Sequence, residues 1–200
     1  VLLTADVTVG GSGIVDFRNG ILDFNGYALT KVGNGQLHLG YLAATNVGAS
    51  TGIDVQQGML MLADGSALTG SAANVVNLRN GALLGMYNNS APLLWSVNVE
   101  DDATGYINVG AGTATNLNLF AGSVTLGTGG KLAISNSSTS VAQTFSGPIS
   151  GPGSLTRVAG SAGETYLRGT NTYAGTTTVY GGGLHTFGPW ALPGYDELGR

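Results

Sequence analysis

Residues 53–62 read IDVQQGMLML and residues 76–85 read VNLRNGALLG. Both fit one template: apolar, x, apolar, x, x, Gly, x, apolar, x, apolar. Alternation at a period of two puts the first and third positions on one face of a strand. The glycine then interrupts the run at a bend where a side chain fits poorly. A second alternating run follows, so Ile53, Val55, Leu60 and Leu62 are predicted to point into one core.

The template recurs as VDFRNGILDF from Val15, TKVGNGQLHL from Thr30, LNLFAGSVTL from Leu117 and TTVYGGGLHT from Thr177. From Val97 it reads VNVEDDATGYINV, with three extra residues before the glycine. The middle copies begin at 53, 76, 97 and 117, so they are spaced 23, 21 and 20 residues apart. That spacing suits one rung of a parallel β-helix, in which like residues stack about 4.8 Å apart. The expected fold is therefore all-β: a parallel β-helix (β-solenoid) of about 20–23 residues per rung. Parallel crossovers favour a right-handed coil. About nine such rungs would make a rod about 40 Å long. Residues between the first two apolar slots are Asp16, Lys31, Asp54, Asn77, Asn98, Asn118 and Thr178, and they are expected to form one outward polar column. An antiparallel sandwich also uses short alternating strands, but it does not predict a constant offset within each template.

Composition agrees with this reading. The 200 residues are 42% apolar, enough for one domain with a sizeable core. Only 9% are charged, against about 25% in ordinary domains, so Asn, Ser and Thr must supply the polar surface. The 35 glycines follow no three-residue period, which excludes collagen. With seven scattered Lys and Arg and a net charge of −4, no basic stripe awaits phosphate, and nucleic acid is not an expected partner. There is no cysteine, so thiol catalysis, Cys-ligated metals and disulfides are excluded. No run of eighteen apolar residues offers a transmembrane helix. No basic leader precedes Val1, and the chain reads as a piece of a longer protein or a processed product. One continuous solenoid is expected over residues 1–187, with residues 188–200 as a capping or connecting tail.

Residues 147–184 read GPISGPGSLTRVAGSAGETYLRGTNTYAGTTTVYGGGL. This stretch resembles the passenger-associated transport (autotransporter-associated β-strand) repeat of autotransporter proteins. Leu155, Thr156 and Arg157 match its first strand. Gly169, Asn171, Thr172, Tyr173, Gly175, Thr176, Thr177 and Val179 match the signature Gly-x-Asn-Thr-Tyr-x-Gly-x-Thr-x-Val, and Gly182, Gly183 and Leu184 match its close. A degenerate relative over residues 29–60 lacks the Asn-Thr-Tyr element. The resemblance implies a β-helical passenger placed outside the cell or on the outer surface of a Gram-negative-type bacterium. It also implies a role for the repeat in export and folding. The signature residues all suit structural roles. Asn171 can bond backbone at a turn, the threonines suit strands, and Tyr173 is an apolar body with a polar tip.

Groups able to do chemistry are few. Glu100, Asp101 and Asp102 fill the expansion of one template. Carboxylates there could hold Ca²⁺ or act on a polysaccharide, but consecutive carboxylates splay apart, and a solvated turn is the plainer reading. Gly48-Ala49-Ser50-Thr51-Gly52 has the spacing of a nucleophile elbow, yet a strand pattern follows where the elbow needs a helix. His38 and His185 are the only histidines, and both are expected to face outward. Asn88-Asn89-Ser90 and Asn136-Ser137-Ser138 fit the glycosylation pattern and carry little weight in so Asn- and Ser-rich a chain. Trp95 and Trp190 are the two bulky sites, and plain core is open to either. Trp190 and Tyr195, in the tail, are candidates for a binding anchor or a cap.

No catalytic set, cofactor site or metal site is expected. The favoured function is a structural or adhesive, non-catalytic solenoid at the cell surface, with a receptor or glycan as partner. End-to-end self-association into an extracellular filament is one alternative. A polysaccharide-acting enzyme is the other, and it would have to manage with Lys31, Lys131 and five Arg.

Overall fold

The computed structural model describes residues 1–45, 52–64, 68, 73–110 and 118–187. Among them are nineteen strands and no helix. Sheet 1 runs β1 (Val7–Gly10), β3 (Leu29–Val32), β5 (Gly52–Val55), β7 (Val75–Leu78), β9 (Ser96–Val99), β12 (Val124–Leu126), β15 (Ile149–Ser150). Sheet 2 starts with β2 (Ile14–Asp23), β4 (Gln36–Thr45), β6 (Met59–Ala63) and β8 (Leu83–Tyr87). It continues with β10 (Thr104–Val109), β13 (Lys131–Asn136), β16 (Ser154–Arg157) and β18 (Thr177–Val179). Sheet 3 holds β11 (Leu119–Phe120), β14 (Gln143–Phe145), β17 (Glu164–Leu167) and β19 (Gly183–Thr186). Neighbouring strands pair in parallel, so the chain is a parallel β-solenoid of about seven turns, about 23 residues each.

Inward residues stack rung upon rung. Leu29, Ile53, Val76, Val97, Val124 and Ile149 share one register in sheet 1, and none is more than 2% exposed. Leu37, Leu60, Leu84, Ile107 and Ile134 form the matching column in sheet 2. Full burial of each such side chain contributes roughly 1.5–3 kcal/mol. Phe120 stacks on Phe145 in sheet 3, with ring centroids 4.7 Å apart.

Corners stack as well. Asn19, Tyr41, Asp64 and Asn88 each turn the chain at φ near +50°, at the end or in the middle of successive sheet 2 strands. Asn and Asp tolerate that conformation better than most residues. The corner from sheet 3 to sheet 1 is a ladder of glycines. A Cβ on Gly122 would meet the Trp95 carbonyl oxygen at 2.0 Å, one on Gly147 the Gly122 oxygen at 2.0 Å, and one on Gly169 the Gly147 oxygen at 2.1 Å. Trp95 itself is buried in the core.

Several sequence expectations are corrected. Among the described residues the rungs number about seven rather than nine, and one step in sheet 1, from Val97 to Val124, takes 27 residues. The copy from Val15 does not break at Gly20: β2 runs through it, and Val15 and Phe17 stack on Leu37 and Leu39, the second half of the next copy. The copy from Leu117 passes from sheet 3 to sheet 1 rather than from sheet 1 to sheet 2. Thr178 pairs with Thr156 in sheet 2. The outward column of sheet 1 is therefore Thr30, Asp54, Asn77, Asn98, Thr125 and Ser150.

Lys31 and Asn118, expected outside, are buried. In the copy around Lys31 the corner before Gly35 holds one extra residue, so Leu29 takes the first inward slot and Lys31 the second. Lys31 Nζ donates to the carbonyls of Val32 at 2.8 Å, Gly33 at 2.7 Å and Gln57 at 3.1 Å. Those three bonds use all three ammonium donors, while burial pushes its pKa below the usual lysine range.

Candidate binding face

The acidic triplet sits in the corner between β9 and β10, and its members part company. Glu100 bonds Arg79, which also reaches Asp54 through Nε at 2.9 Å and Nη2 at 3.2 Å. Asp101 Oδ1 accepts the Thr128 N–H at 2.7 Å. Asp102 turns at φ 53° and donates its own N–H to the Thr128 carbonyl. Hydrogen bonding to Asp54, with help from Glu100, raises the Arg79 pKa against the lowering effect of burial. Among the described residues no three His, Asp or Glu side chains gather as a metal cluster. Beside this corner, open depressions of about 300 and 340 Å³ share Asn98 on the outer face of sheet 1. The Asn98 amide donates to Asn77 Oδ1 at 3.1 Å across the rungs.

The repeat signature is structural in its geometry. Asn171 is buried, and its Oδ1 accepts the Ile149 N–H at 2.9 Å, taking over the ladder where sheet 1 has no further strand. Tyr173 is fully buried, with its hydroxyl 2.5 Å from Thr177 Oγ1. Thr176 N donates to Ser154 Oγ. Gly169 and Gly175 press on the rung below, where a Cβ on Gly175 would meet the Gly153 oxygen at 2.3 Å. Leu155 is core, and Gly182 takes a left-handed φ of 66°. Leu184 packs partly against the core. Thr156 and Thr177 lie in strands, Thr172 and Thr176 do not, and Val179 ends β18 exposed.

An outward cluster that sequence reading did not single out lies on β17 and β19. Alternation in ETYLRG, residues 164–169, sends Thr165 and Leu167 inward and Glu164, Tyr166 and Arg168 outward. The register places Tyr166 over His185 and Leu167 over Thr186, and Phe187 N donates to the Leu167 carbonyl. The Tyr166 ring centroid lies 4.9 Å from His185 and 5.8 Å from Phe187. The Arg168 guanidinium lies 4.4 Å over Phe187 and 5.5 Å from Tyr166. Glu164 is hydrogen-bonded to His185. Phe187 is 49% exposed, which makes it a surface aromatic rather than core. The legible signal was the pair of alternating strings ETYLRG and GLHTF, whose outward positions carry aromatics, a guanidinium and a carboxylate. His185 faces outward as expected. His38 stands between the buried Leu37 and Leu39 beside Arg18, with its Nδ1 3.3 Å from Arg18 Nη2. Trp190, Tyr195 and the tail, like most of the 48–52 serine motif, lie outside the described residues.

β17 is held from behind by buried polar groups. Arg157 Nη1 donates to Thr165 Oγ1 at 2.8 Å, and Thr165 Oγ1 donates to Gln143 Oε1 at 2.9 Å. Burial lowers the Arg157 pKa, partly offset by Glu164. A one-residue slip of β17 would expose Thr165 and bury Tyr166, so this inner network fixes the outer cluster.

No family model, no curated protein and no solved structure matches the chain.

Proposed function

We propose that the chain is a structural and adhesive, non-catalytic part of an extracellular solenoid of the autotransporter type, holding a surface ligand on the outer face of sheet 3. The observation that carries this reading is the outward-facing cluster of half-buried Tyr166 with exposed Arg168 and Phe187 on a parallel ladder. Aromatic side chains and Arg dominate the energetics of surface recognition, and a rod whose rungs repeat suits display better than turnover. The residues of the transport-repeat resemblance, Asn171, Tyr173 and Gly175, support the extracellular part of the proposal through the resemblance alone.

Adhesion is tested by measuring binding of the purified chain to cultured cells and glycan-coated surfaces, beside a Tyr166→Ala/Phe187→Ala double variant. The expected result is saturable binding by the parent chain and loss of most of it in the variant at unchanged melting temperature. Equal binding by the two would remove sheet 3 from the reading, and no binding by the parent chain would sink it.

A further inference from the structure

We infer that the sheet 3 cluster takes a carboxylated sugar, such as a uronic acid unit of a glycan, with the acid on Arg168 and the ring on Tyr166 and Phe187. The inference rests on the adhesive reading above and names its ligand.

Arg168 is exposed, and its guanidinium carbon lies 4.4 Å over the Phe187 ring. Its backbone N–H is tied to the Phe145 carbonyl, while no side-chain acceptor among the described residues occupies its guanidinium. Stacking on an aromatic ring leaves the N–H fork at the guanidinium edge free, and that fork matches a carboxylate in two parallel bonds. The rings of Tyr166 and Phe187, centroids 5.8 Å apart and tilted by 53°, offer an angled apolar wall for the C–H face of a pyranose.

The local charge is arranged to match. Glu164, the acid on the same strand, is hydrogen-bonded to His185 on the neighbouring strand. The positive end of the cluster is therefore Arg168, beside Phe187. The chain as a whole carries a net charge of −4 and repels polyanions. Binding of a polyuronate would thus have to come from a local site and not from diffuse attraction. A neutral sugar would leave the guanidinium fork unused, and an acidic peptide would leave the ring surface without a flat partner.

The test is titration calorimetry of the full chain with oligogalacturonate, the carboxyl-reduced form of the same oligosaccharide, and oligoglutamate. Variants are Arg168→Gln and Phe187→Ala, each checked for an unchanged melting temperature. The expected result is that oligogalacturonate binds, the carboxyl-reduced form binds at least about tenfold more weakly, and Arg168→Gln loses at least about tenfold. Phe187→Ala should weaken the sugar acid while leaving any trace binding of oligoglutamate unaltered. Equal affinity for the carboxyl-reduced form would overturn the acid while leaving an adhesive face for neutral glycans. Oligoglutamate binding as tightly as the sugar would overturn the sugar. Adhesion to cells that survives in Arg168→Gln, with no oligogalacturonate binding, would overturn this inference and spare the adhesive function. Absence of binding to cells and glycans alike would overturn both.

Discussion

Gly147→Ala tests the stacking of rungs at a point where main chain lies against main chain. The new Cβ would lie 2.0 Å from the Gly122 oxygen, 2.6 Å from its carbonyl carbon and 2.7 Å from the Ala121 oxygen. All three are main-chain atoms, so no flexible side chain can swing aside. They are held in place by Ser146 N donating to Phe120 O at 2.9 Å and Val124 N donating to Pro148 O at 2.8 Å. Relief requires the two rungs to part locally by more than about an ångström, which breaks both bonds at about 1 kcal/mol each. Residual overpacking adds roughly 1–3 kcal/mol. The expected loss is about 3–5 kcal/mol, a fall in melting temperature of roughly 10 °C for a chain of this size. Gly13→Ala is the control, since a Cβ there meets nothing within 4 Å. It should stay within about 1 kcal/mol of the parent, on the stabilising side if anything. Urea unfolding followed by circular dichroism reads both. A Gly147→Ala chain as stable as the parent, or a Gly13→Ala chain equally weakened, would refute the glycine ladder.

Two further outcomes follow from buried polar groups. Asn171→Ala orphans the Ile149 N–H and should cost about 1–3 kcal/mol; a variant as stable as the parent in urea unfolding would show that the side-chain bond is not what matters. Lys31 has its pKa lowered in the fold from the usual 10.5, so the unfolded chain binds more protons there. Stability should therefore be level at lower pH and rise with pH between the lowered value and 10.5, and Lys31→Met should abolish that rise; melts across the alkaline range in which both chains fold would expose an identical slope if the assignment is wrong.

The copy at 53–62 was legible in full, whereas in the copy at 76–85 one extra corner residue puts Leu84 and Met86 in register with Leu60 and Leu62, one place beyond the template's slots at Leu83 and Gly85. In the first, Ile53, Val55, Leu60 and Leu62 are all buried as read. Counting failed where a corner gained a residue. One insertion before Gly35 moved Lys31 from the outward column to the core, and no local property of TKVGNG announces the shift. The phase of the copy from Val15 failed for a different reason. Its pattern is that of two strands around a glycine, but Asn19 absorbs the bend at φ 56° and β2 continues, pairing with β4 on both sides of the bend. Period-two alternation reports which face a residue takes and is silent on which sheet it joins.

The same silence hid the link between the interior and the candidate site. The inward column Leu37, Leu60, Leu84, Ile107, Ile134 is followed in register by Arg157, a residue that any apolar template discards. Its burial is intelligible only in three dimensions. Arg157 on sheet 2 bonds Thr165 on sheet 3, which bonds Gln143, and these polar groups are buried beside the aliphatic Leu155 and Leu167. An aliphatic residue at 157 would fill volume but could not tell Thr165 from Leu167. The guanidinium can, because its Nη1 meets the hydroxyl of Thr165, which passes the bond on to Gln143, while Nη2 meets the Gly163 carbonyl. A polar core contact is seldom the most stable filling, and its best-supported use is to specify register. Here the register so specified is that of β17, whose outer face carries Tyr166 and Arg168. Arg157→Met should therefore act on ligand binding more than on melting temperature, since it loosens the choice between two pairings of one strand without opening a cavity. Calorimetry and thermal melts on the same preparation check it, and a variant that melts far lower yet binds as the parent does would show that Arg157 supports the core alone.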